Sequence, residues 1–231
     1  MNNNKHIQIA IDGPVGAGKG TVANILRKKI GASDIYTGGS YRAVALFCLR
    51  NGIDVSKEQD VTSALVHMKI LIDNEKIYLN GENVSDALKK SEVANATPKV
   101  ASYREVRTAM IAIQKEAVLK EEKRHGKIIV EGRDTATNVL PHADLKVFLT
   151  AGSEVRARRR MNQLEVFGEN PDFEIVRSEV NERDRRDMER ENDPLTSDPE
   201  SMGYFVVDNS NQLEEETAEV IIEEMKRRSL I

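Results

Sequence analysis

Residues 13–21 read Gly13-Pro14-Val15-Gly16-Ala17-Gly18-Lys19-Gly20-Thr21, and they nearly match the phosphate-binding pattern G-x-x-x-x-G-K-[ST]. An apolar run at residues 7–12 precedes them and predicts a β-strand, and apolar side chains at helical spacing follow over residues 21–30. In such a strand–loop–helix unit the glycines let backbone N–H groups turn toward phosphate oxygens, and the helix presents the positive end of its dipole. We therefore predict that all nine residues bind the phosphates of a nucleoside triphosphate, with Lys19 as a mobile cation.

The loop departs from the strict pattern at Gly20, where Ser or Thr is usual, and a hydroxyl follows one position later at Thr21. This shift weakens the assignment of a hydroxyl ligand for Mg²⁺. No metal ligand is therefore certain, and we expect Mg²⁺ to be carried by ATP, near Thr21. The same variant is shared by adenylate-kinase-like small-molecule kinases. The four histidines lack ligand spacing, so a protein-bound zinc site is not expected.

Strand-like and helical patterns alternate along the rest of the chain. Short apolar runs at residues 127–131, 145–150 and 204–208 predict three further buried parallel strands. Residues 100–118 and 213–225 carry apolar side chains three or four positions apart, which predicts helices. Alternation of this kind is typical of an α/β fold, so we predict a parallel sheet of about five strands flanked by helices.

Two stretches interrupt this alternation. Residues 69–72 and 76–79, joined by Asp73-Asn74-Glu75, predict an antiparallel hairpin, and we assign residues 61–98 to a small inserted subdomain on the acceptor side. Residues 154–199 read as two charged helices joined by a loop, with nine arginines between positions 156 and 190. We assign them to an Arg-rich lid. The core of the single domain 1–231 would then comprise the remaining segments, 1–60, 99–153 and 200–231.

The overall composition excludes several classes of protein. The net charge of −4 argues against binding of nucleic acid over the whole surface. Cys48 is the only cysteine and lies in an apolar run, so we predict a packed thiol. No apolar run approaches the roughly 18 residues of a membrane span, and residues 1–6 show no signal-peptide pattern. We expect a soluble, intracellular protein without nucleic-acid or membrane partners.

The arginines of the predicted lid indicate what accepts the phosphoryl group. The strings Asn-Lys-x-Asp and Asp-x-x-Gly, typical of guanine-nucleotide switches, do not occur. A reaction between two phosphorylated substrates gathers several negative charges, which guanidinium groups neutralise well. Arg183, Asp187 and Arg190 are spaced i, i+4 and i+7, which predicts one shared helix face. For any single arginine the alternative is a solvated surface ion pair.

Five motifs together resemble the bacterial cytidylate kinase family, and the resemblance covers nearly the whole chain. Besides the phosphate-binding loop, they are Thr37-Gly38-Gly39-Ser40-Tyr41-Arg42, Val106-Arg107, Gly132-Arg133-Asp134, and the lid segment Glu182-Arg183-Asp184 with Asp187 and Arg190. The segments Gly81-Glu82-Asn83-Val84-Ser85 and Val93-Ala94-Asn95-Ala96 are also similar to the insertion that marks this family.

The resemblance implies transfer of the γ-phosphoryl group of ATP to CMP or dCMP, with Mg²⁺, in a monomeric cytoplasmic enzyme. It further implies a set of residues that bind the acceptor: Thr37, Gly38, Tyr41, Arg42, Arg107, Gly132, Arg133, Asp134, Arg183 and Asp187. The catalytic residues implied by the resemblance are Lys19, Arg107, Arg133, Asp134, Arg183, Asp187 and Arg190. Because the acceptor is already an ionised phosphate, we expect Asp134 and Asp187 to read the sugar or base or to orient arginines.

The chain departs from the family pattern near the acceptor, which leaves its preference among CMP, dCMP and UMP open. The departures are Lys89, Pro98, Glu131, Ala136, Asn138 and His142. Three other functions remain open. They are a related kinase acting on UMP, AMP or an alcohol, a nucleotide-binding paralogue that regulates without catalysis, and a nucleic-acid-binding protein that uses the Arg-rich segment.

Overall fold

The computed structural model describes residues 6–73, 76–166 and 168–231. Its strands are β1 (Ile7–Asp12), β2 (Ser33–Tyr36), β3 (Ile70–Asp73), β4 (Lys76–Leu79), β5 (Glu82–Asn83), β6 (Lys127–Glu131), β7 (Leu145–Thr150) and β8 (Phe205–Asp208). Its helices are α1 (Lys19–Ile30), α2 (Gly38–Arg50), α3 (Glu58–Ala64), α4 (Ser91–Val100), α5 (Arg104–His125), α6 (Ser153–Val166), α7 (Phe173–Glu189) and α8 (Glu214–Arg227).

The main sheet has five parallel strands in the order β2-β6-β1-β7-β8, which confirms the predicted α/β class. In its register, Ile9 lies opposite Leu145, and Val147 lies opposite Phe205. The apolar runs form these strands because parallel strands are covered on both faces and bury their side chains throughout. Burial accordingly alternates little along β1 and β7, and most of their residues are buried.

The chain divides into two compact units. One contains residue 6 and residues 32–130, and the other contains residues 7–31 and 131–231. The three-stranded antiparallel sheet β3-β4-β5 belongs to the first unit, and α6 and α7 belong to the second. The boundaries predicted for the inserted subdomain and the lid stay predictions.

The predicted hairpin is confirmed, since Ile70 pairs with Leu79 and Ile72 with Ile77. Residues 74–75 of its turn lie outside the described residues. β5 adds a third strand that the sequence pattern did not predict, and Tyr78 pairs there with Asn83. The hairpin is buried on one face, because Ile70 and Ile72 are buried while Leu71 is 46% exposed.

Two helix predictions need correction. The helix predicted over residues 100–118 is wrong at its start, because α4 ends at Val100 and α5 begins at Arg104 after an extended Tyr103. The shared helix face predicted for Arg190 is also wrong, because α7 ends at Glu189 and Arg190 is extended (φ −60°, ψ 140°).

The two charged helices predicted at residues 154–199 are confirmed as α6 and α7. α7 begins after Asp172, whose carboxylate accepts the N–H groups of Glu174 and Ile175 at 2.8 and 3.1 Å. The two helices pack through an apolar cluster of Leu164, Val176 and Val180. Within the described ranges, no helix is long and apolar enough to cross a membrane.

Candidate phosphoryl-transfer site

The glycine-rich loop connects β1 to α1 in the second unit. Gly13 has φ 150°, and a Cβ atom at this position would lie 2.0 Å from the carbonyl oxygen of Leu149 in β7. Only glycine therefore fits this close approach of the loop to the sheet. The loop then enters α1 at Lys19, two residues earlier than the periodicity predicts.

Lys19 is held in the loop by its own neighbours. Its ammonium group donates to the carbonyl oxygens of Gly13 and Pro14, both at 2.8 Å, and the residue is only 7% exposed. Burial, followed by the nearby Arg133 guanidinium, lowers the pKa of Lys19 well below its ordinary value. An approaching anion would reverse that shift, because it stabilises the charged form.

A second group of charges comes from the segment after β6 and from the end of α7. The Arg133 guanidinium donates to Asp187 at 2.8 Å, and Arg190 lies 3.2 Å from Asp134 and 3.7 Å from Asp187. These four side chains are between 10% and 18% exposed. Oppositely charged side chains thus alternate along one network, with Arg183 in electrostatic contact with Asp187.

The arginines of the network favour the ionised form of Asp187. Burial raises the pKa of Asp187, but the charges of Arg133, Arg183 and Arg190 outweigh it, so the pKa lies below its ordinary value. For Arg133, burial is likewise outweighed by Asp187, and its pKa rises above the ordinary value. Asp187 therefore acts on Arg133 as a fixed negative partner and is poorly suited to accept a proton.

Asp12 is a buried acid next to the candidate site, and the sequence analysis did not single it out. Its fully buried carboxylate accepts the N–H groups of Thr135 and Ala136, both at 2.8 Å, and the hydroxyl of Tyr204 at 2.9 Å. Burial raises the pKa of Asp12 despite these hydrogen bonds. The carboxylate thereby ties the end of β1 to the segment that follows Gly132-Arg133-Asp134. The signal available in the sequence was a lone acid at the end of an apolar strand.

Three further contacts support the same region. Asn138, one of the departures from the family pattern, donates to Asp134 at 3.0 Å. Asn209 is fully buried after β8, donates to the carbonyl oxygen of Ala17 at 3.1 Å and accepts from Arg159 at 2.9 Å. The N–H of Gly132 donates to Ile11 in β1 at 3.0 Å. The loop and the Arg133 segment are thus held from β1 and from β8.

The first unit gathers another set of predicted residues around the start of α2. The Arg107 guanidinium lies 5.5 Å from the centre of the Tyr41 ring, and the residue is 2% exposed. Gln114 of α5, which the sequence analysis missed, donates to Ser40 Oγ at 2.9 Å and to the carbonyl oxygen of Thr37 at 3.3 Å. The structure therefore brings Thr37, Tyr41 and Arg107 together within this unit.

The other predicted residues and departures have simpler surroundings. Arg42 donates to the carbonyl oxygen of Leu88 at 2.7 Å, and Gly38 is the first residue of α2. Lys89 forms an exposed ion pair with Asp86, and Pro98 lies inside α4. The thiol of Cys48 is free and buried, as predicted.

A five-stranded parallel sheet with a glycine-rich phosphate loop after β1, a buried loop lysine and a network of arginines defines a nucleoside monophosphate kinase of the P-loop class. The family model described as cytidylate kinase matches residues 9–227. This chain belongs to the cytidylate kinase family.

Similar proteins agree with this assignment. The cytidylate kinase of Mycoplasmopsis synoviae is 37% identical over 221 residues, which are 95% of this chain and 98% of that protein. The cytidylate kinase of Mycoplasmopsis agalactiae is 39% identical over 223 residues, 96% of this chain and 98% of that protein. Among solved structures, an uncharacterized protein from Eubacterium ventriosum has a TM-score of 0.54 at 14% identity, covering 96% of this chain and 99% of that one. That likeness concerns the fold alone.

Proposed function

We propose that this protein transfers the γ-phosphoryl group of ATP to CMP or dCMP, giving ADP and CDP or dCDP. The observation that carries the proposal is the partly buried charge network of Arg133, Asp134, Asp187 and Arg190, in the same unit as Lys19 and the glycine-rich loop. Family membership supports ATP as the donor and a cytidine monophosphate as the acceptor.

Catalysis would rest on alignment and charge neutralisation. The loop and Lys19 would hold the phosphates of ATP, while Arg107, Arg133, Arg183 and Arg190 would neutralise the charge of the transferred group and of the acceptor phosphate. Thr37, Gly38, Tyr41, Arg42 and Gly132 would complete the acceptor site. Because the network orients its guanidinium groups before substrate binds, little reorganisation is needed during transfer.

Mg²⁺ would enter together with ATP. No group of three or more His, Cys, Asp or Glu in the described ranges could hold a metal ion. We expect Mg²⁺ to be bound mainly by phosphate oxygens of ATP and by water. The hydroxyl of Thr21, which is exposed at the start of α1, would support it. When bound, Mg²⁺ would neutralise charge on the phosphates of ATP.

No side chain needs to act as a general base. The acceptor phosphate has a second pKa of about 6 and is mostly doubly ionised at neutral pH. Asp134 and Asp187 would instead orient Arg190 and Arg133 and read polar groups of the acceptor. Asp134→Asn should therefore raise the KM for CMP without giving kcat a new pH dependence. Loss, in this variant, of a kcat pH dependence that the unaltered protein shows near the carboxyl pKa would contradict this role.

The direct test is the release of ADP from ATP and Mg²⁺ with CMP, dCMP, UMP, AMP and GMP offered in turn. We expect fast turnover with CMP and dCMP only. Turnover with UMP or AMP would show that the departures at Pro98 and Asn138 change the acceptor. No ADP release with any of the five monophosphates would favour a nucleotide-binding regulator. The monomeric state and the cytoplasmic location stay predictions, and native mass measurement would test the first.

A further inference from the structure

The apex of the glycine-rich loop is attached to both helices of the predicted lid. The N–H of Val15 donates to Asp184 Oδ1 on α7 at 3.1 Å, and the carbonyl oxygen of Val15 accepts from Arg156 Nη1 on α6 at 2.9 Å. The same guanidinium nitrogen forms an ion pair with Asp184 Oδ2. Arg156 Nε is fixed in turn by the carbonyl oxygen of Ala151 at 2.8 Å. One ion pair thus engages both backbone groups of Val15.

The side chain of Val15 adds an apolar attachment at the same place. It packs with Met161 against the cluster of Leu164, Val176 and Val180 that joins α6 to α7. The loop also approaches α6 closely at the next residue, Gly16, where a Cβ atom would lie 2.8 Å from the carbonyl oxygen of Arg156. The loop apex and the two helices therefore share one small core.

These contacts distinguish Arg156 and Asp184 from the arginines and acids expected to meet substrate. Arg156 is 7% exposed and Asp184 is 8% exposed, and both side chains point at the loop backbone. An N–H that already donates its hydrogen to a carboxylate is not available to donate to a phosphate, and the negative carboxylate repels a phosphate at the same place. Val15 is therefore poorly placed to be the phosphate ligand that the glycine-rich pattern predicts.

We propose that Arg156 and Asp184 are positioning residues that hold the loop in its ATP-binding conformation through Val15, so that α6 and α7 set the affinity of the loop for ATP. Val15 serves as the anchor of the loop in place of a phosphate ligand. The inference rests on the proposed function only in taking ATP as the ligand of the loop. Breaking the pair should weaken ATP binding and leave the acceptor site largely unchanged.

The test compares two substitutions on the same helix. Asp184→Asn keeps the size and one acceptor oxygen of the side chain but removes the charge that holds Arg156. Glu179→Gln makes the same charge change at an exposed position of α7 and is the matched control. We expect the Kd for ATP with Mg²⁺, measured by titration calorimetry without acceptor, to rise about tenfold in Asp184→Asn, as for loss of one hydrogen bond to a charged group. The control should stay within twofold.

Two more measurements separate positioning from a general loss of stability. Amide exchange at Val15 should accelerate in Asp184→Asn and not in Glu179→Gln, and the KM for ATP should rise while the KM for CMP stays within twofold. If Asp184→Asn fails to fold, Val15→Ala tests the apolar half of the attachment and should also raise the Kd for ATP. An unchanged Kd in every folded variant overturns the inference.

The inference and the proposed function can fail separately. If the unaltered protein binds ATP but phosphorylates none of the five monophosphates, the proposed function fails while the comparison of Kd values still decides the role of Asp184. If the protein is an active kinase and Asp184→Asn behaves like its control, the inference alone fails. An unaltered protein that does not bind ATP overturns both.

Discussion

Replacing Asp187 by Asn should impair phosphoryl transfer because it removes the fixed negative partner of Arg133. The two groups lie 2.8 Å apart, and their side chains are 16% and 18% exposed. Truncating one partner of a fully buried pair costs about 3–5 kcal/mol, whereas exposed pairs contribute about 0–1 kcal/mol. For this partly buried pair we take about 2 kcal/mol, since the amide oxygen of Asn can still accept a hydrogen bond. Such a loss corresponds to roughly thirtyfold in kcat/KM for CMP.

Glu189→Gln is the matched control for this prediction. Its carboxylate lies 2.5 Å from Arg185 on α7, closer than Asp187 lies to Arg133, but the two side chains are 61% and 56% exposed. Water screens that pair, so kcat/KM should stay within twofold despite the shorter distance. A steady-state assay of ADP release measures both variants. Equal kcat/KM values in the two variants would refute the argument that burial of the Arg133–Asp187 pair orients the guanidinium.

Asp187→Asn should also change how the stability of the protein depends on pH. Arginine charges outweigh burial and hold the pKa of Asp187 below its ordinary value of 3.8. A lowered carboxyl pKa stabilises the folded state above the unfolded pKa, and this stability is lost as pH falls through the folded pKa. The difference in the free energy of unfolding between the unaltered protein and Asp187→Asn should therefore be largest at neutral pH. It should shrink as the pH falls below 3.8. Urea unfolding across this range measures it.

Three further substitutions test the loop and its supports. Tyr204→Phe removes one hydrogen bond from buried Asp12 and should lower the free energy of unfolding by about 1–2 kcal/mol in urea. Because burial raises the pKa of Asp12, the stability this group contributes is lost as pH rises, and the deficit of the variant should grow in the same direction. Gly13→Ala would place a Cβ 2.0 Å from the Leu149 carbonyl oxygen, so its Tm should fall sharply. Lys19→Met should reduce kcat at least about a hundredfold while its Tm is unchanged or higher, because burial disfavours the ammonium charge.

The sequence predicts the elements whose side chains repeat regularly. The apolar runs of β1, β6 and β7 and the charged helices α6 and α7 lie where the patterns place them. The break between α4 and α5 was missed because apolar side chains continue at helical spacing through residues 100–106. Spacing alone cannot show that Tyr103 adopts an extended backbone and starts a new helix.

The sequence predicts which charged residues to consider more readily than it predicts which of them form pairs. Acids and arginines alternate along α7, so the sequence does not tell which acid meets which arginine. Arg133 and Asp187 are separated by 54 positions, and Asp12 and Tyr204 by 192. The sheet order places β1 next to β7 and β7 next to β8, which brings Asp12 at the end of β1 within reach of Tyr204 just before β8.

The departure at Asn138 illustrates how a change from the family pattern can leave the chemistry intact. Its amide donates to one carboxylate oxygen of Asp134 at 3.0 Å, and Arg190 lies 3.2 Å from the other. Two directional contacts on opposite oxygens restrict the carboxylate to one orientation, as a preorganised site requires. Asn138 therefore supports Asp134 from within its own segment, while Asp12 fixes the backbone of that segment two residues earlier at Ala136. Since Arg133 and Arg190, the arginines that we propose bind phosphate, keep their acidic partners, we expect the departure at Asn138 to leave phosphoryl transfer itself unchanged.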